Sequence, residues 1–372
     1  MDFVYTLPVK IVFGGNKIEQ LSGILGAAGL DGGLLVSDPA FRRNGLADRV
    51  IALSGGKIAG CFSELSPNPD VEEVECCVAT VRESGAGFLV ALGGGSSMDC
   101  AKAASVVAGT DRTVRHFHSE KGLIREPGLP VIAVPTTAGT GSEVTNVAVL
   151  TDAAKNFKGP MASDYMYVKL AIVDPTLTVS VPKQVTASTG LDVLSHALEG
   201  YWSRNHQPIC DAMALYAADL VFKHLETAYR DGSDIGAREQ MCVASLLAGL
   251  AFAHPKTAAS HACSFPLTNV YHLPHGEACA FTLDWLIRVN AGAEGGRVEH
   301  FARKLGFADA AAMADRTLAM KKAMGMRYTL AGAGIAQADL EQLAELCKHP
   351  NLLNNPVEMT RERLLEMFES MQ

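Results

Sequence analysis

The chain has 372 residues, too many for one compact core and a length that suits two domains. Apolar residues make up 48% and charged residues 19%, so a packed interior can be built. The net charge is −8, with Lys and Arg scattered among acids and no run of about 18 apolar residues. Nucleic acid and a membrane are therefore not expected partners.

The N-terminal "MDFVYTLPVKIVFGG" lacks the basic, apolar and small-residue parts of a signal peptide. Nine cysteines are present with no CxxC pair, as expected of buried reduced thiols in a cytoplasmic protein. Only Cys263 and Cys279 lie near a cluster of histidines.

In chain order, "YTLPVKIVFGG" predicts a strand and "NKIEQLSGILGAAG" a helix capped by Asn16. "GGLLVSD" is a strand ending at Asp38, "PAFRRNGLADRVIALSGG" a helix and "KIAGCFSEL" a strand. "NPDVEEVECCVATVRESG" is a helix opened by Asn68-Pro69. "AGFLVALGGGS" is a buried strand, "SMDCAKAASVVAG" a helix and "LPVIAVPTTAGTGSE" a second buried strand running into a loop. This alternation of helices with continuously apolar strands predicts a Rossmann-like α/β domain with a parallel sheet over residues 1–178.

From "VPKQVTASTGLDVLSHALEGYWS" onward the apolar spacing is helical. An all-α domain is expected over residues 179–372, with a cleft between the two. Gly232 marks a helix stop, and Pro356 a first turn in "PVEMTRERLLEMFESMQ".

Gly93, Gly94 and Gly95 stand between a strand and a helix. They let a bulky anion such as pyrophosphate approach the helix start. The run is neither a GxGxxG fingerprint nor a Walker A loop. Thr136, Thr137, Gly139, Thr140, Gly141 and Ser142 follow the neighbouring strand and would line the same crevice. Asp38 can accept both hydroxyls of an adenosine ribose and repel a 2′-phosphate; capping the helix that begins at Pro39 is its other use.

Asp192 and His196 are four apart, so they share a helical face about 6 Å apart at Cβ. They suit a divalent ion; a simple hydrogen-bonded pair is the alternative. "SHACSFPLTNVYHLPHGEACA" holds His261, His272 and His275. The chain is expected to break at "PLTNVYHLP" and restart as a helix at His275. His261 and His275, from consecutive helices, could join Asp192 and His196, whereas His272 sits in an extended stretch and points elsewhere.

"GGGSSMDCAK", "PTTAGTGSEVT", "GLDVLSHALEGYWS" and the fourteen-residue spacing from His261 to the "PHG" at 274–276 resemble the iron-containing (group III) alcohol dehydrogenase family over essentially the whole chain. The resemblance implies a dinucleotide-binding domain, a helical catalytic domain, NAD(H) and one catalytic divalent metal. That metal would be Fe²⁺ first, with Zn²⁺ and Mn²⁺ as alternatives. It implies Asp192, His196, His261 and His275 as ligands, acting in catalysis through the ion. It implies Asp38, Asn68, Gly94, Gly95, Ser96, Asp99, Thr136, Thr137, Thr140, Val147 and Lys158 as cofactor contacts, and a homodimer, to which the apolar "FVYTLPVKIVF" could contribute across a two-fold axis.

Many members carry a second histidine four residues after the third ligand; here that position is Phe265, which leaves the proton path open. "HPKTAASHACSFPLTNVYHLPHG" and "LLNNPVEMT" resemble the members that reduce phosphonoacetaldehyde or sulfoacetaldehyde. Lys256 is a cation that could meet an anionic head group, or else a solvent-facing lysine at a helix start. Thr257, Ser260, Phe265 and Asn269 complete the expected substrate contacts. The expected activity is aldehyde reduction to the alcohol with NADH. A generalist short-chain alcohol dehydrogenase, a glycerol dehydrogenase or dehydroquinate synthase-like enzyme, and a non-catalytic nucleotide-binding protein are the alternatives.

Overall fold

The computed structural model describes residues 2–155 and 157–371. The chain forms two compact units. One comprises Thr6–Thr137 and Gly141–Thr178; the other comprises Met1–Tyr5, Ala138–Thr140 and Val179–Gln372.

The first unit holds β1 (Lys10–Phe13), α1 (Leu21–Ala27), β2 (Gly33–Ser37), α2 (Pro39–Arg43), α3 (Leu46–Leu53), β3 (Ile58–Phe62), α4 (Val71–Ser84), β4 (Phe88–Gly93) and α5 (Gly95–Ala108). It continues through α6 (Val114–Phe117), β5 (Val131–Pro135), β6 (Val147–Asp152), β7 (Phe157–Ala162) and β8 (Leu170–Val173). Six strands form one sheet in the order β1-β8-β5-β4-β2-β3. Every pairing in it is parallel. β2 and β4 are buried along their whole length, which is why both are nearly continuous apolar runs without alternation. Strand order reverses beside β2: β3 lies on one side of it and β4 on the other. That reversal is a switch point, where loops at the carboxyl ends open a crevice.

Several local expectations are corrected. Asn16 does not cap a helix with its side chain; it has φ 59°, and a 3₁₀ turn over Lys17–Gln20 precedes α1. The helix after Asp38 is two helices, parted at Gly45 with φ 83°. α4 opens at Val71, not at Asn68-Pro69, because Asp70 and Glu73 form a reciprocal capping box. β6 and β7 form an antiparallel pair that the sequence did not announce; β6 alternates in burial, and β7 contains Gly159 and Pro160.

The second unit is helical: α7 (Lys183–Trp202), α8 (Pro208–Arg230), α9 (Ile235–Phe252), α10 (Ala259–Asn269), α11 (His275–Phe281), α12 (Leu283–Asn290), α13 (Arg297–Lys304), α14 (Ala310–Ala323), α15 (Leu340–Leu346) and α16 (Arg361–Glu369). α7 is its central rod; from Thr186 onward every residue but Thr189 is buried. An α-helix buried on all sides needs small and apolar residues all round, as "TASTGLDVLSHALEG" supplies.

α10 continues through Pro266 to Asn269, so the chain breaks at 270–274 rather than at the proline. The Pro266 carbonyl still accepts the Val270 N–H at 2.9 Å. α16 starts after Thr360, whose hydroxyl accepts from the Arg363 N–H, and Pro356 lies before the helix rather than in its first turn. Among the described residues no helix is long and apolar enough to cross a membrane.

Candidate metal centre and nucleotide site

In the first unit, the carboxyl ends of β2, β4 and β5 are adjacent, with Ser37 in register with Leu92 and Gly93 with Pro135. Gly93 has φ 152°, and a methyl on Gly94 would lie 3.2 Å from the Thr137 hydroxyl. The two loops therefore come so close that a side chain there would push Thr137 back by a few tenths of an ångström. α5 starts immediately after, with its first N–H groups unclaimed by a side-chain cap. Thr136 is buried and its hydroxyl has no hydrogen-bond partner. Glycine backbone, a helix start and an orphaned hydroxyl together fit a pyrophosphate.

The Ser96 hydroxyl accepts from the Asn68 N–H at 3.2 Å, and Lys158 Nζ donates to Asn68 Oδ1 at 2.9 Å. Ser96, Asn68 and Lys158 are thus brought together beside Gly94 and Gly95. Asp99 is committed internally, accepting from the Ser142 hydroxyl at 2.7 Å and the Val149 N–H at 2.9 Å. Val147 begins β6 and is half-buried. Asp38 caps α2, its Oδ1 accepting from the Ala40 N–H at 2.7 Å. Its backbone nitrogen lies 3.9 Å from where a Gly93 Cβ would be, so the residue stands beside the glycine turn.

In the second unit, α7 carries Asp192 and His196, α10 carries His261, and α11 begins at His275. His196 Nε2 and His261 Nε2 are 3.0 Å apart. Asp192 Oδ1 is 3.6 Å from His261 Nε2 and 3.9 Å from His196 Nε2. The His261 and His275 ring centroids are 5.6 Å apart. Donor atoms of Asp192, His261, His275 and Cys279 all lie within 4.8 Å of one another. Asp192 is 2% exposed, and its Oδ1 has no hydrogen-bond partner.

A bare buried carboxylate is costly unless a cation meets it. Two nitrogens on one ion sit roughly 2.9–3.4 Å apart, given metal–nitrogen bonds of about 2.0–2.1 Å. The donor set and its spacing fit a divalent metal.

Burial pushes the His196 imidazole down to about 3, against the pull of Asp192. Burial would lift the Asp192 carboxyl, but His196, His261 and His275 outweigh it and hold it below the usual carboxylate range. At His261 burial works against charge, yet Cys279, Glu199 and Asp192 raise the ring above the ordinary imidazole value. The Cys279 thiol is raised by burial and lowered more by His261 and His275, ending below the usual thiol value.

Glu199 went unnoticed in the sequence. Its carboxylate accepts from His261 Nδ1 and from the Ser260 N–H at 2.6 Å. That bond fixes the proton on Nδ1 and turns Nε2 towards Asp192. The only local signal is its position three residues after His196, where a glutamate ordinarily reads as a solvent-facing charge. Ser188 and Arg327 also escaped notice. Ser188 Oγ accepts from the Glu277 N–H at 3.0 Å, and Arg327 grips the Glu277 carboxylate with Nε at 2.8 Å and Nη2 at 2.7 Å. Gly276 lets α11 close on α7, since a methyl there would fall 2.9 Å from Asp192 Cβ.

Of the expected substrate contacts, Ser260 is fully buried and its hydroxyl donates to the Cys279 carbonyl at 2.5 Å. Thr257 receives two asparagines, Asn351 Nδ2 at 2.7 Å on its hydroxyl and Asn354 Nδ2 at 2.8 Å on its carbonyl. The Phe265 ring lies 4.6 Å from that of His349. Lys256 is exposed, with φ 67°, and its Nζ donates to the Ala253 carbonyl at 2.7 Å. Asn269 and His272 are exposed.

A buried carboxylate set among imidazoles at metal-ligand spacing is the donor set of a metal-dependent enzyme, and the sheet is of the dinucleotide type. Residues 8–175 match the family model for iron-containing alcohol dehydrogenase, and residues 186–372 match the C-terminal model of the Fe-containing alcohol dehydrogenase family. The chain belongs to the iron-containing alcohol dehydrogenase family and is an NAD-linked alcohol or aldehyde oxidoreductase.

It is similar to the solved structure of sulfoacetaldehyde reductase from Bifidobacterium kashiwanohense in complex with NAD+, at 47% identity and a TM-score of 0.97, covering 100% of this chain and 99% of that one. It is also similar to the sulfoacetaldehyde reductase of Bilophila wadsworthia, 30% identical over 384 residues, covering 100% of this chain and 99% of the other. The choline dehydrogenase of Bacillus subtilis is 33% identical over 372 residues, covering 96% and 92%. At about 30% identity the family thus spans anionic and cationic substrates.

Proposed function

We propose that this chain is a metal-dependent, NAD(H)-linked reductase of a two- or three-carbon aldehyde with an anionic head group, sulfoacetaldehyde foremost and phosphonoacetaldehyde next. The observation that carries it is the 47% identity, over the full chain, to a sulfoacetaldehyde reductase solved with NAD+. Asp192, His196, His261 and His275 would hold the metal. Gly94, Gly95, Ser96, Asn68, Lys158, Thr136 and Thr137 would hold the dinucleotide phosphates, and Asp38 its ribose. Asp99, Thr140 and Val147 complete the cofactor set.

When bound, the divalent ion supplies Lewis acidity at the substrate oxygen and NADH supplies the hydride. The chain's own residues do the rest. Glu199 keeps the His261 ring turned with Nε2 inward. Glu277, Arg327 and Ser188 hold α11 at one height against α7. Phe265 offers no proton, which leaves the proton path open to water or to a ribose hydroxyl of the cofactor. The Phe265 and His349 rings give that side an aromatic wall.

The segment 352–360, on which the likeness to sulfoacetaldehyde and phosphonoacetaldehyde reductases partly rests, is bonded through Asn354 to the Thr257 carbonyl beside Lys256. Lys256 Nζ donates to the neutral Ala253 carbonyl, and a charge-assisted bond to an anion is roughly twice as strong as a neutral one. A homodimer in the cytoplasm fits the free thiols and the exposed Phe3 and Val4 near the N-terminus, although the first strand is only Lys10–Phe13. The test is NADH oxidation with sulfoacetaldehyde by metal-loaded and metal-stripped protein. Turnover that follows the metal supports the proposal; turnover by stripped protein overturns it.

A further inference from the structure

The nucleotide loop does not stay with the sheet that leads into it. Thr136 and Thr137 belong to the α/β unit, Ala138–Thr140 pack with the helical unit, and the chain returns at Gly141. Gly139 is the point of attachment. Its N–H donates to the Ser245 hydroxyl of α9 at 2.9 Å, in the interior. Ser245 itself is 2% exposed. Gly139 also lies directly on α7, where a methyl would fall 2.7 Å from Thr189 Cβ and 3.3 Å from Thr189 Cα. A side chain at 139 would force the loop off that helix.

The two helices that grip Gly139 also frame the metal centre. Thr189 is one turn before Asp192 on α7 and shares its face. About two turns after Ser245, α9 lays Phe252 flat against the His196 ring, with centroids 4.2 Å apart and planes 12° apart. A metal that fixes Asp192 and His196 therefore fixes both surfaces on which Gly139 rests. Gly139 is in turn continuous with the backbone of Thr136 and Thr137 at the pyrophosphate site. Packed side chains and rigid helices of this kind carry coupling between sites.

We propose that Ser245 is a positioning residue that couples the two sites: through Gly139 it holds the nucleotide loop to the metal-bearing helices, so that bound metal tightens NADH binding. The inference rests on the metal and nucleotide sites proposed above. The coupling is reciprocal, so NADH tightens metal binding by the same factor.

The experiment is a fluorescence titration of NADH into the full chain, stripped with a chelator and then reloaded with one equivalent of Zn²⁺. Wild type should bind NADH at least about 5-fold more tightly when loaded, the lower end of the usual range for coupled sites. Ser245→Ala leaves the buried Gly139 N–H without its partner, and the ratio of loaded to stripped affinity should fall towards one. A merely structural role would lower stability and leave that ratio alone. Equal affinities in loaded and stripped wild type, or an unchanged ratio in Ser245→Ala, overturn the coupling and leave both sites standing. Wild type that retains no zinc, or loaded wild type that binds no NADH, overturns the site reading beneath it. Hydrogen exchange on wild type needs no variant. Zinc alone, without NADH, should slow exchange in a peptide spanning 136–142, which carries none of the expected metal ligands. Equal exchange of that peptide with and without zinc would overturn the proposal.

Discussion

The Glu199 carboxylate binds His261 twice, at Nδ1 of the ring and at the residue's own N–H at 3.3 Å, and also accepts from the neighbouring Ser260 N–H at 2.6 Å. It is fully buried and lies on the same helix as Asp192 and His196. One helix thus supplies two expected ligands and the group that aims a third. Glu199→Gln keeps the shape but weakens the acceptor for the ring N–H. Metal affinity should fall about 10- to 100-fold, as is usual for such outer partners. Competition with a chelator measures it, and an unchanged affinity would remove Glu199 from the centre.

His272 separates the local excess of histidines into two kinds. It is exposed, in a left-handed turn with φ 56°, between the helices that carry His261 and His275. Single Ala substitutions at Asp192, His196, His261 and His275 should each abolish tight metal retention. His272→Ala should retain one equivalent. Metal analysis after gel filtration checks all five, and full metal content in His275→Ala would break the assignment.

The cap that Asp38 makes on Ala40 bears on cofactor choice, because the same carboxylate is the one that would meet the ribose. NADH is expected to be preferred over NADPH, and Asp38→Gly should relax that preference. Losing the cap costs only a few tenths of a kcal/mol when glycine replaces aspartate, so folding does not confound the ratio. The kcat/KM ratio for the two cofactors decides, and an unchanged ratio would confine Asp38 to capping.

Glu143 offers a pH signature independent of the metal. Burial raises its carboxyl to about 7, against its own backbone N–H and Lys102, from an ordinary 4.5. A carboxyl that holds its proton more tightly when folded stabilises the fold fully below about 4.5 and loses that contribution as pH rises through about 7. Relative to Glu143→Gln, wild type should therefore lose stability across that window, by on the order of 3 kcal/mol from a difference of roughly 2.5 pH units. Urea midpoints of both proteins at pH 4.5 and at neutral pH measure the difference; parallel curves would contradict it.

Patterns that repeat were legible and single long-range contacts were not. Apolar runs such as "FLVALG" gave the parallel sheet, because a strand covered on both faces leaves no room for polar alternation. Asp192 and His196 could be paired from helical spacing alone. Pro266 misled, since a proline deep in α10 reads as a break, yet the helix runs three residues further. Glu199, Arg327 and His349 carry no local sign of their use; each acts on a residue 50 or more positions away. Asp70 as the true cap of α4 was visible in principle, with Glu73 three residues on, but Asn68-Pro69 drew the boundary two residues early.

The measurement that reaches the central claim is kcat/KM with NADH for sulfoacetaldehyde, phosphonoacetaldehyde and propionaldehyde, in wild type and Lys256→Ala, on metal-defined protein. The charged aldehydes should lead in wild type. Lys256→Ala should lose roughly 10- to 150-fold on them, the equivalent of a charge-assisted hydrogen bond, and little on propionaldehyde. Propionaldehyde turned over as efficiently as the charged aldehydes in wild type, or an equal loss on all three in the variant, would contradict recognition of an anionic head group and leave a generalist alcohol dehydrogenase.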